Sequence, residues 1–482
     1  MTGTPVEPET PSAGQTGIAP TSHVTPSQAP SPPDPSSHHP SPPELSAHHS
    51  ASGTASLAGA WYVAVMMCLT YALNIADRYS ISTVLEPIRL ELHLSDASIA
   101  FLTGVSLAIF YVVLGFPVSW LIDRSSRRNI IAISITLWSA LTVATGLARS
   151  YGQLLCARIG VGIGEAGGTP GANSILSDYF PPARRPMALQ VFALGAPLGA
   201  WLGSQIAGVI ARWHGWRGMF ILLGIPGVAV GALIFLTIRE PRCGRLDAQD
   251  HGGAPPVLET LRFLWRQRSA VHLMVAGAIT ALWGWGLMWW TPAFLMRSYA
   301  INVEQAGAIL GPIHLVGGSL AMVASTWLLS RPWLSSDPRR IVRLLGGYIM
   351  LATVATAFIY STHDLELAKV LFWVFIPSLY IYIGSSFGML NNLAQPKMRA
   401  VYCATTLFIA NVCNLMIAPQ AIGFLSDWFA PHHTPTAESL RLALLCLVPA
   451  GFWASFHFFW SARDLLHDEQ RATGIPVAIQ SP

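Results

Sequence analysis

Charge is what this chain has least of. Only 11% of its 482 residues are Asp, Glu, Lys or Arg, against about 25% in a soluble globular chain. The uncharged stretches are long, and a membrane-spanning helix takes roughly 20 apolar residues. Twelve such runs follow one another, at about 57–88, 96–122, 129–148, 152–177, 187–210, 216–238, 269–296, 304–330, 341–360, 366–390, 398–425 and 439–461; we number them α1 to α12. A soluble fold is excluded. A closed β-barrel is excluded too, because its short alternating segments are missing.

Other absences narrow the function. The six cysteines, Cys68, Cys156, Cys243, Cys403, Cys413 and Cys446, show no metal-ligand or redox spacing and read as free thiols of the core. No Gly-x-x-x-x-Gly-Lys-Ser/Thr segment is present, which excludes an ATP-driven pump of the P-loop type. No nucleophile–base pair or metal-ligand cluster supports a membrane-embedded enzyme, so neither cofactor nor metal is expected; His432-His433 stands alone in a loop. Residues 1–56 hold no Lys or Arg and no apolar stretch of the signal-peptide kind. Their Pro, Ser, Thr, Gly and His predict a disordered cytoplasmic tail, with the histidines as part of a soluble spacer.

The basic residues that are present set an orientation. With the N-terminus cytoplasmic, 19 Lys and Arg fall in inward loops and the C-terminal tail and seven in outward loops, with Arg78 and Arg158 left inside helices. The positive-inside rule then puts both termini in the cytoplasm of a plasma (inner) membrane. The formal net charge of +4 is a matter of topology and implies no nucleic-acid partner. The chain divides into the tail 1–56, six helices over 57–238, a charged cytoplasmic linker over 239–268, six helices over 269–461 and a C-tail over 462–482. Weak repeats relate the two sets. Ser119-Trp120-Leu121-Ile122-Asp123-Arg124 ends α2 as Thr326-Trp327-Leu328-Leu329-Ser330-Arg331 ends α8, and Ala196-Pro197 in α5 matches Ala418-Pro419 in α11. Two six-helix halves of this kind place a substrate site between them near mid-membrane. A further likeness, Leu176-Ser177-Asp178-Tyr179-Phe180 with Leu425-Ser426-Asp427-Trp428-Phe429, joins α4 to α11, which are not repeat partners, and reads as coincidence.

Four charges fall inside apolar runs: Asp77 and Arg78 in α1, Arg158 and Glu165 in α4. A charge at bilayer depth costs at least ~2.5–3.5 kcal/mol and is retained where it is paired or lines a wet cavity. Seven residues separate Arg158 from Glu165, so they share a helix face, about 10 Å apart along the axis. Asn74, Asp77 and Arg78 lie within about one turn. The second set carries almost no such charge. It offers Trp283, Trp285, Trp289 and Trp290 on α7, Tyr380, Ser385, Ser386 and Asn391 on α10, and Asn411 and Asn414 on α11. Interfacial belts account for Trp289 and Trp290; Trp283 and Trp285 are too central for that. His314 on α8 is titratable, but a lone histidine reads first as a satisfied core residue. Gly195, Pro197, Gly199, Gly203, Pro312, Pro377 and Pro419 supply helix bends.

The loop Asp123-Arg124-Ser125-Ser126-Arg127-Arg128 resembles the loop motif of the major facilitator superfamily, Gly-x-x-x-Asp-Arg-x-Gly-Arg-Arg, with Ser119 and Ser126 in place of its glycines. Arg158-Ile159-Gly160-Val161-Gly162-Ile163-Gly164-Glu165-Ala166 is similar to the superfamily's helix-4 Arg motif. With Asp77-Arg78, Phe180-Pro181-Pro182, Arg184-Arg185, Gly215-Trp216-Arg217 and Arg239-Glu240-Pro241, it resembles the Spinster-like branch, which includes proton-linked lysolipid and sphingosine-phosphate transporters. The resemblance covers about 57–465. It implies an all-α, twelve-helix transporter, a monomer, in which α1, α4, α7 and α10 line the cavity.

On that fold, Asp77 and Glu165 would face each other across water and carry the proton. Arg78 and Arg158 would tune them and receive an anionic substrate group, since arginine stays protonated. Permanent ion pairs joining α1 to α4 are the alternative. Asn74, Trp283, Trp285, Tyr380 and Asn411 are the candidate cavity residues. Asp123, Arg124, Arg127 and Arg128 would form a gating latch that the resemblance pairs with α11. A charged first wall and an aromatic second wall suit a small amphipathic organic anion or lipid-like molecule. The expected function is therefore a proton-coupled secondary carrier working by alternating access, whose partners are that small molecule, protons and membrane lipid. A facilitative exchanger or drug-type efflux carrier is the alternative, and a non-transporting sensor signalling through the tail comes after it.

Overall fold

The computed structural model describes residues 57–106, 117, 125–181, 183–240 and 256–473. Among these residues there are helices and no strands, and nine helices are long and apolar enough to cross a membrane. One of the nine, Arg185–Thr237, has 53 residues and holds both α5 and α6. It changes direction at Gly215, whose φ of 70° and ψ of 170° belong to a region that is essentially glycine's alone. Beside that turn Trp216 Nε1 donates to Glu91 Oε2 at 2.6 Å, Arg217 pairs with the same carboxylate, and Arg217 Nε donates to the Ala148 carbonyl at 3.0 Å. The Gly-Trp-Arg segment thus clasps three helix ends together.

α4 is broken into Tyr151–Glu165 and Gly168–Tyr179, and α2 is described from Asp96 to Val105. α1 runs Leu57–Thr83, breaks at Val84 and continues as Leu85–Glu91. α3 is Arg127–Leu147, and α7 to α12 are Arg268–Tyr299, Val303–Leu329, Pro338–Ser361, Leu365–Asn392, Pro396–Phe429 and Ala437–Ser461. This is the expected all-α polytopic architecture, and the described helices are compatible with twelve crossings.

Two helices stand where the apolar pattern shows only charged loop and tail. Val257–Arg266 precedes α7: Val257, Leu261 and Leu264 share one face, and Glu259, Arg262 and Arg266 share another. Leu465–Thr473 follows α12, and its Asp468 Oδ2 accepts from the backbone N and hydroxyl of Ser269, at 2.9 and 2.6 Å, at the start of α7. Of the cysteines, Cys68, Cys156, Cys403, Cys413 and Cys446 are free; Cys156 and Cys446 are exposed on the helix surface rather than in the core. Cys243 lies outside the described residues, as does the tail 1–56.

The two sets of helices meet through α5 with α8 and through α2 with α11. Glycine makes the approach close. A Cβ on Gly311 of α8 would lie 2.6 Å from the Gln205 Cβ of α5, and one on Gly423 of α11 would lie 2.6 Å from the Asp96 carbonyl of α2. Small residues of this kind are how helices associate in lipid, where no hydrophobic drive separates helix from solvent. All four helices also carry a π-helical turn: Phe101–Val105, Leu202–Ile206, Ile313–Gly318 and Val412–Ile417. α7 carries one at Ala281–Trp285. These turns gather next to Gly203, Pro312 and Pro419, residues expected to bend their helices. α10 keeps an α-helix through Pro377.

Candidate functional site

The four intramembrane charges form two cross-pairs. Arg158 Nη1 donates to Asp77 Oδ2 at 2.7 Å. Arg78 Nε and Nη2 donate to Glu165 Oε2 at 2.9 and 2.6 Å. Each pair joins α1 to α4, and each helix gives one acid and one base. The two carboxylates therefore do not face each other across open water; each is held directly by an arginine of the other helix. Thr142 Oγ1 on α3 donates to Asp77 Oδ1 at 2.6 Å. Asp77, Arg158 and Glu165 are buried, Arg158 completely. The pairs are not saturated: among the described residues Arg158 Nε, Arg158 Nη2 and Glu165 Oε1 have no hydrogen-bond partner. A buried polar group left in this way costs about 1–3 kcal/mol, more when charged.

Both arginines line a cavity. Its walls are Arg78, Ile81, Ser82 and Leu85 of α1, Thr103 and Gly104 of α2, Arg158 of α4, Trp289 of α7, and Leu415 and Pro419 of α11. The cavity thus lies between the sets, with two guanidiniums on one side and an indole on the other. α2 and α11 take part where α10 was expected. Asn74, one turn before Arg78, is buried and is not among the lining residues, nor is the half-buried Asn411.

The tryptophans do not divide as the sequence suggests. Trp283 is fully buried inside the second set, with its ring 5.4 Å from Phe375 of α10. Trp289, expected in an interfacial belt, lines the cavity and donates to Asn414 Oδ1 at 2.9 Å. Trp290 is buried and donates to the Pro419 carbonyl at 3.2 Å. The reason is the π turn at Ala281–Trp285, which turns the helix face by about one residue relative to an unbroken α-helix. Trp285 is half-buried between Tyr79 and Tyr380, with ring centroids 6.4 and 6.0 Å away. Tyr380 OH is 3.0 Å from His314 Nδ1.

A second charge cluster, absent from the expectations above, closes the end at which α1, α7 and α11 finish. Arg297 of α7 donates from Nη1 and Nη2 to Asp96 Oδ2 and Oδ1, both at 2.7 Å, and from Nε to Glu86 Oε2 at 2.7 Å. Arg89 donates to Glu86 Oε1 at 2.7 Å and lies 3.7 Å from Asp96 Oδ1. Asp427 of α11 accepts from the backbone N of Asp96 and Ala97 at 2.9 and 2.8 Å, which caps α2 with an anion at its positive end. Ser426 Oγ donates to Asp96 Oδ2 at 2.6 Å. Three carboxylates meet two guanidiniums and one helix N-terminus, and Asp96 is fully buried. The hydrogen bonds and ion pairs that join the two sets cluster at this end.

At the opposite end lies the described part of the expected latch. Asp123 and Arg124 lie outside the described residues. Arg127 bridges Asp178, at 2.5 Å, and Glu240, at 3.2 Å. Glu240 accepts from the backbone N of Arg128 at 2.8 Å, the backbone N of Arg127 at 3.1 Å and the Ser126 hydroxyl at 2.8 Å. Arg127 and Arg128 therefore tie α3 to α4 and to the end of α6 within the first set. Burial pushes the Glu240 carboxyl up, but the donors at the α3 N-terminus outweigh it and leave it below the ordinary carboxylate range. A depressed folded-state value stabilises the fold above the ordinary range and ceases to do so as pH falls through the lowered value. Glu240→Ala should cost about 1–2 kcal/mol near pH 7, the value of a good cap. The loss should appear as a lower Tm in detergent, and the gap from wild type should narrow towards pH 4.

Family comparison decides what kind of protein carries this site. Residues 67–414 match the model of the Major Facilitator Superfamily. The chain belongs to that superfamily. A superfamily efflux pump of Mycolicibacterium smegmatis is 28% identical over 422 residues, covering 85% of this chain and 95% of the pump. The sphingosine-1-phosphate transporter SPNS2 of Danio rerio is 28% identical over 427 residues, covering 81% and 83%. A crystal structure of a bacterial homolog of the human lysosomal transporter Spinster, inward-facing and unoccupied, superposes with a TM-score of 0.72 at 26% identity. It covers 85% of this chain and 98% of that one. The likeness to the Spinster-like branch is thus borne out alongside the superfamily.

Two of the segments that carry the Spinster-like resemblance acquire physical jobs here. Glu240 of Arg239-Glu240-Pro241 caps α3, and Gly215-Trp216-Arg217 holds the Glu91 corner. The clustered charges at Glu86, Arg89, Asp96 and Arg297 had a readable signal. Arg89 and Arg297 are among the few basic residues on the side the positive-inside rule leaves poor, and each sits beside the end of an apolar run.

Proposed function

We propose that this superfamily member is a proton-coupled secondary carrier that works by alternating access, with both termini cytoplasmic. The observation that carries the reading is the pair of buried, unsaturated acid–base contacts whose arginines line the cavity. A carboxylate that holds a guanidinium and a substrate anion that needs the same guanidinium compete. Protonating Asp77 or Glu165 releases Arg158 or Arg78 towards the cavity, so proton and anion bind with positive coupling, and by linkage each raises the other's affinity. Arg158, with two idle guanidinium nitrogens, is the readier receptor. Trp289 and the apolar Ile81, Leu85, Leu415 and Pro419 then suit the remainder of an amphipathic molecule.

In this orientation the Glu86–Arg89–Asp96–Arg297 cluster is the outer gate, shut, and the conformation is inward-facing, in keeping with the inward-facing homolog it superposes on. The test is uptake into proteoliposomes under an imposed pH gradient, across a panel of organic acids, lysolipids and their uncharged analogues. The reading expects transport of amphipathic anions and loss of transport when the acid group is masked. Equal transport of charged and uncharged analogues would contradict it. The efflux-pump relative supports a drug-type export reading as the second choice, in which organic cations, added to the panel as a further arm, would be moved in exchange for protons.

A further inference from the structure

Among the described residues His314 is the one fully buried imidazole, and the proton-coupling scheme above makes no use of it. It sits in the π-helical turn Ile313–Gly318 of α8. Its Nδ1 meets Tyr380 OH at 3.0 Å, and among the described residues its Nε2 has no partner. Tyr79 of α1, from the other set, closes over it edge-on, ring centroids 4.8 Å apart and planes at 78°. The Tyr79 hydroxyl is also buried, facing the Tyr380 hydroxyl that meets His314. An idle imidazole nitrogen from one set is thus sealed under a phenol from the other, next to Trp285 and Trp289 and one aromatic ring away from the arginine cavity.

The surroundings fix the protonation state. α1 brings Tyr79 and, within electrostatic reach of Tyr79 and Tyr380, Tyr71; α10 brings Tyr380 and, on the same stretch, Tyr382. α5 between Gly195 and Ile206, and α7 between Ala281 and Trp289, bring no titratable or charged residue. No carboxylate stands against His314 to compensate an imidazolium, and a second N–H would have no acceptor. A buried charge of that kind is expensive. While Tyr79 covers it, His314 is neutral. When the sets part at this level, Tyr79 is carried away with α1 and the imidazole meets water, where its ordinary pKa is about 6.5.

We infer that His314 is a second protonation site, gated by Tyr79, that binds a proton only when the sets are parted here. The inference rests on the alternating-access reading but not on Asp77 or Glu165. Because the proton binds one conformation and not the other, acid pulls the equilibrium towards the parted state, by up to about tenfold per pH unit below the imidazole pKa.

The experiment follows the distance between spin labels placed across the closed end, at Ser95→Cys and Glu438→Cys in a background free of other cysteines, in nanodiscs from pH 8 to pH 5. Four proteins are compared: the labelled parent, His314→Gln, His314→Asn, and Asp77→Asn/Glu165→Gln. The expected result is a long-distance population that grows as pH falls through the imidazole range, persists in Asp77→Asn/Glu165→Gln, and is pH-independent there in both His314 variants. A parent that shows no pH dependence in this range overturns the inference. So does a dependence kept in the His314 variants, and so does one lost only with the carboxylates. Failure of the carrier reading would appear elsewhere, as absent proton-linked uptake, and the two failures are therefore distinguishable.

Discussion

Asp77→Asn should abolish proton-driven accumulation of substrate while leaving substrate exchange in place. One proton moved per substrate across a gradient of one pH unit supplies about 1.4 kcal/mol, a tenfold accumulation; the variant's accumulation ratio should fall from about 10 to about 1. Asparagine keeps the shape of the side chain and an oxygen for the Thr142 hydroxyl, 2.6 Å away in the wild type. It cannot load or release a proton. It also leaves Arg158, fully buried, without its carboxylate, the condition that protonated Asp77 creates transiently in the proposed cycle. Exchange, which needs the arginine but no net proton movement, should therefore survive. Asp77→Asn/Arg158→Gln removes both members and separates loss of coupling from loss of fold: it should be stable in detergent and inactive in both assays. Counterflow of labelled substrate, measured beside gradient-driven uptake, makes the distinction. Unchanged driven uptake in Asp77→Asn would reduce the cross-pairs to struts between α1 and α4.

Arg297→Ala should open the closed end. The guanidinium holds Asp96 through two bonds of 2.7 Å and Glu86 through a third. Removing it leaves buried carboxylates opposed only by Arg89, and breaking a buried pair in this way costs about 3–5 kcal/mol. Since the cluster exists only where the sets meet, the cost falls on the closed state and shifts the equilibrium by about 10²–10⁴ towards opening at that end. The readout is labelling of Ser82→Cys, a cavity-lining position, by a membrane-impermeant maleimide added to the outside of right-side-out vesicles. Labelling should rise by at least tenfold in Arg297→Ala. Arg297→Gln combined with Asp96→Asn, which removes one charge of each sign, should bring it most of the way back. Equal labelling in Arg297→Ala and the wild type would show that the α5–α8 and α2–α11 glycine contacts alone keep this end shut.

Much of this architecture was readable from apolar run length and loop charge, because lipid leaves the backbone few options. Neither signal reports pairing. Asp77, Arg78, Arg158 and Glu165 stand out in the sequence, but the crossed pairing depends on the relative rotation of α1 and α4, which no spacing within one helix encodes. Trp283 and Trp289 exchange their expected places because the π turn Ala281–Trp285, which contains Trp283, shifts the face of α7 beyond it. At the cluster of Glu86, Arg89, Asp96 and Arg297 the sequence carries a signal, basic residues on the side that should be poor in them, but the charges are spread over three apolar-run ends, so the signal marks single residues and not their meeting. Ser426-Asp427, dismissed as a chance likeness to Ser177-Asp178, turned out to cap α2, while Asp178 holds Arg127 at the start of α3. The two are not repeat partners, yet each places an aspartate at the end of one helix against the N-terminal end of another.

Internal pH in proteoliposomes, recorded as substrate is added outside, tests the central claim most directly. The account predicts a substrate-dependent proton flux in the wild type that either Asp77→Asn or Glu165→Gln abolishes. Substrate uptake with no change in internal pH would contradict it, and would leave the four buried charges as fixed ion pairs in a carrier that merely equilibrates its substrate.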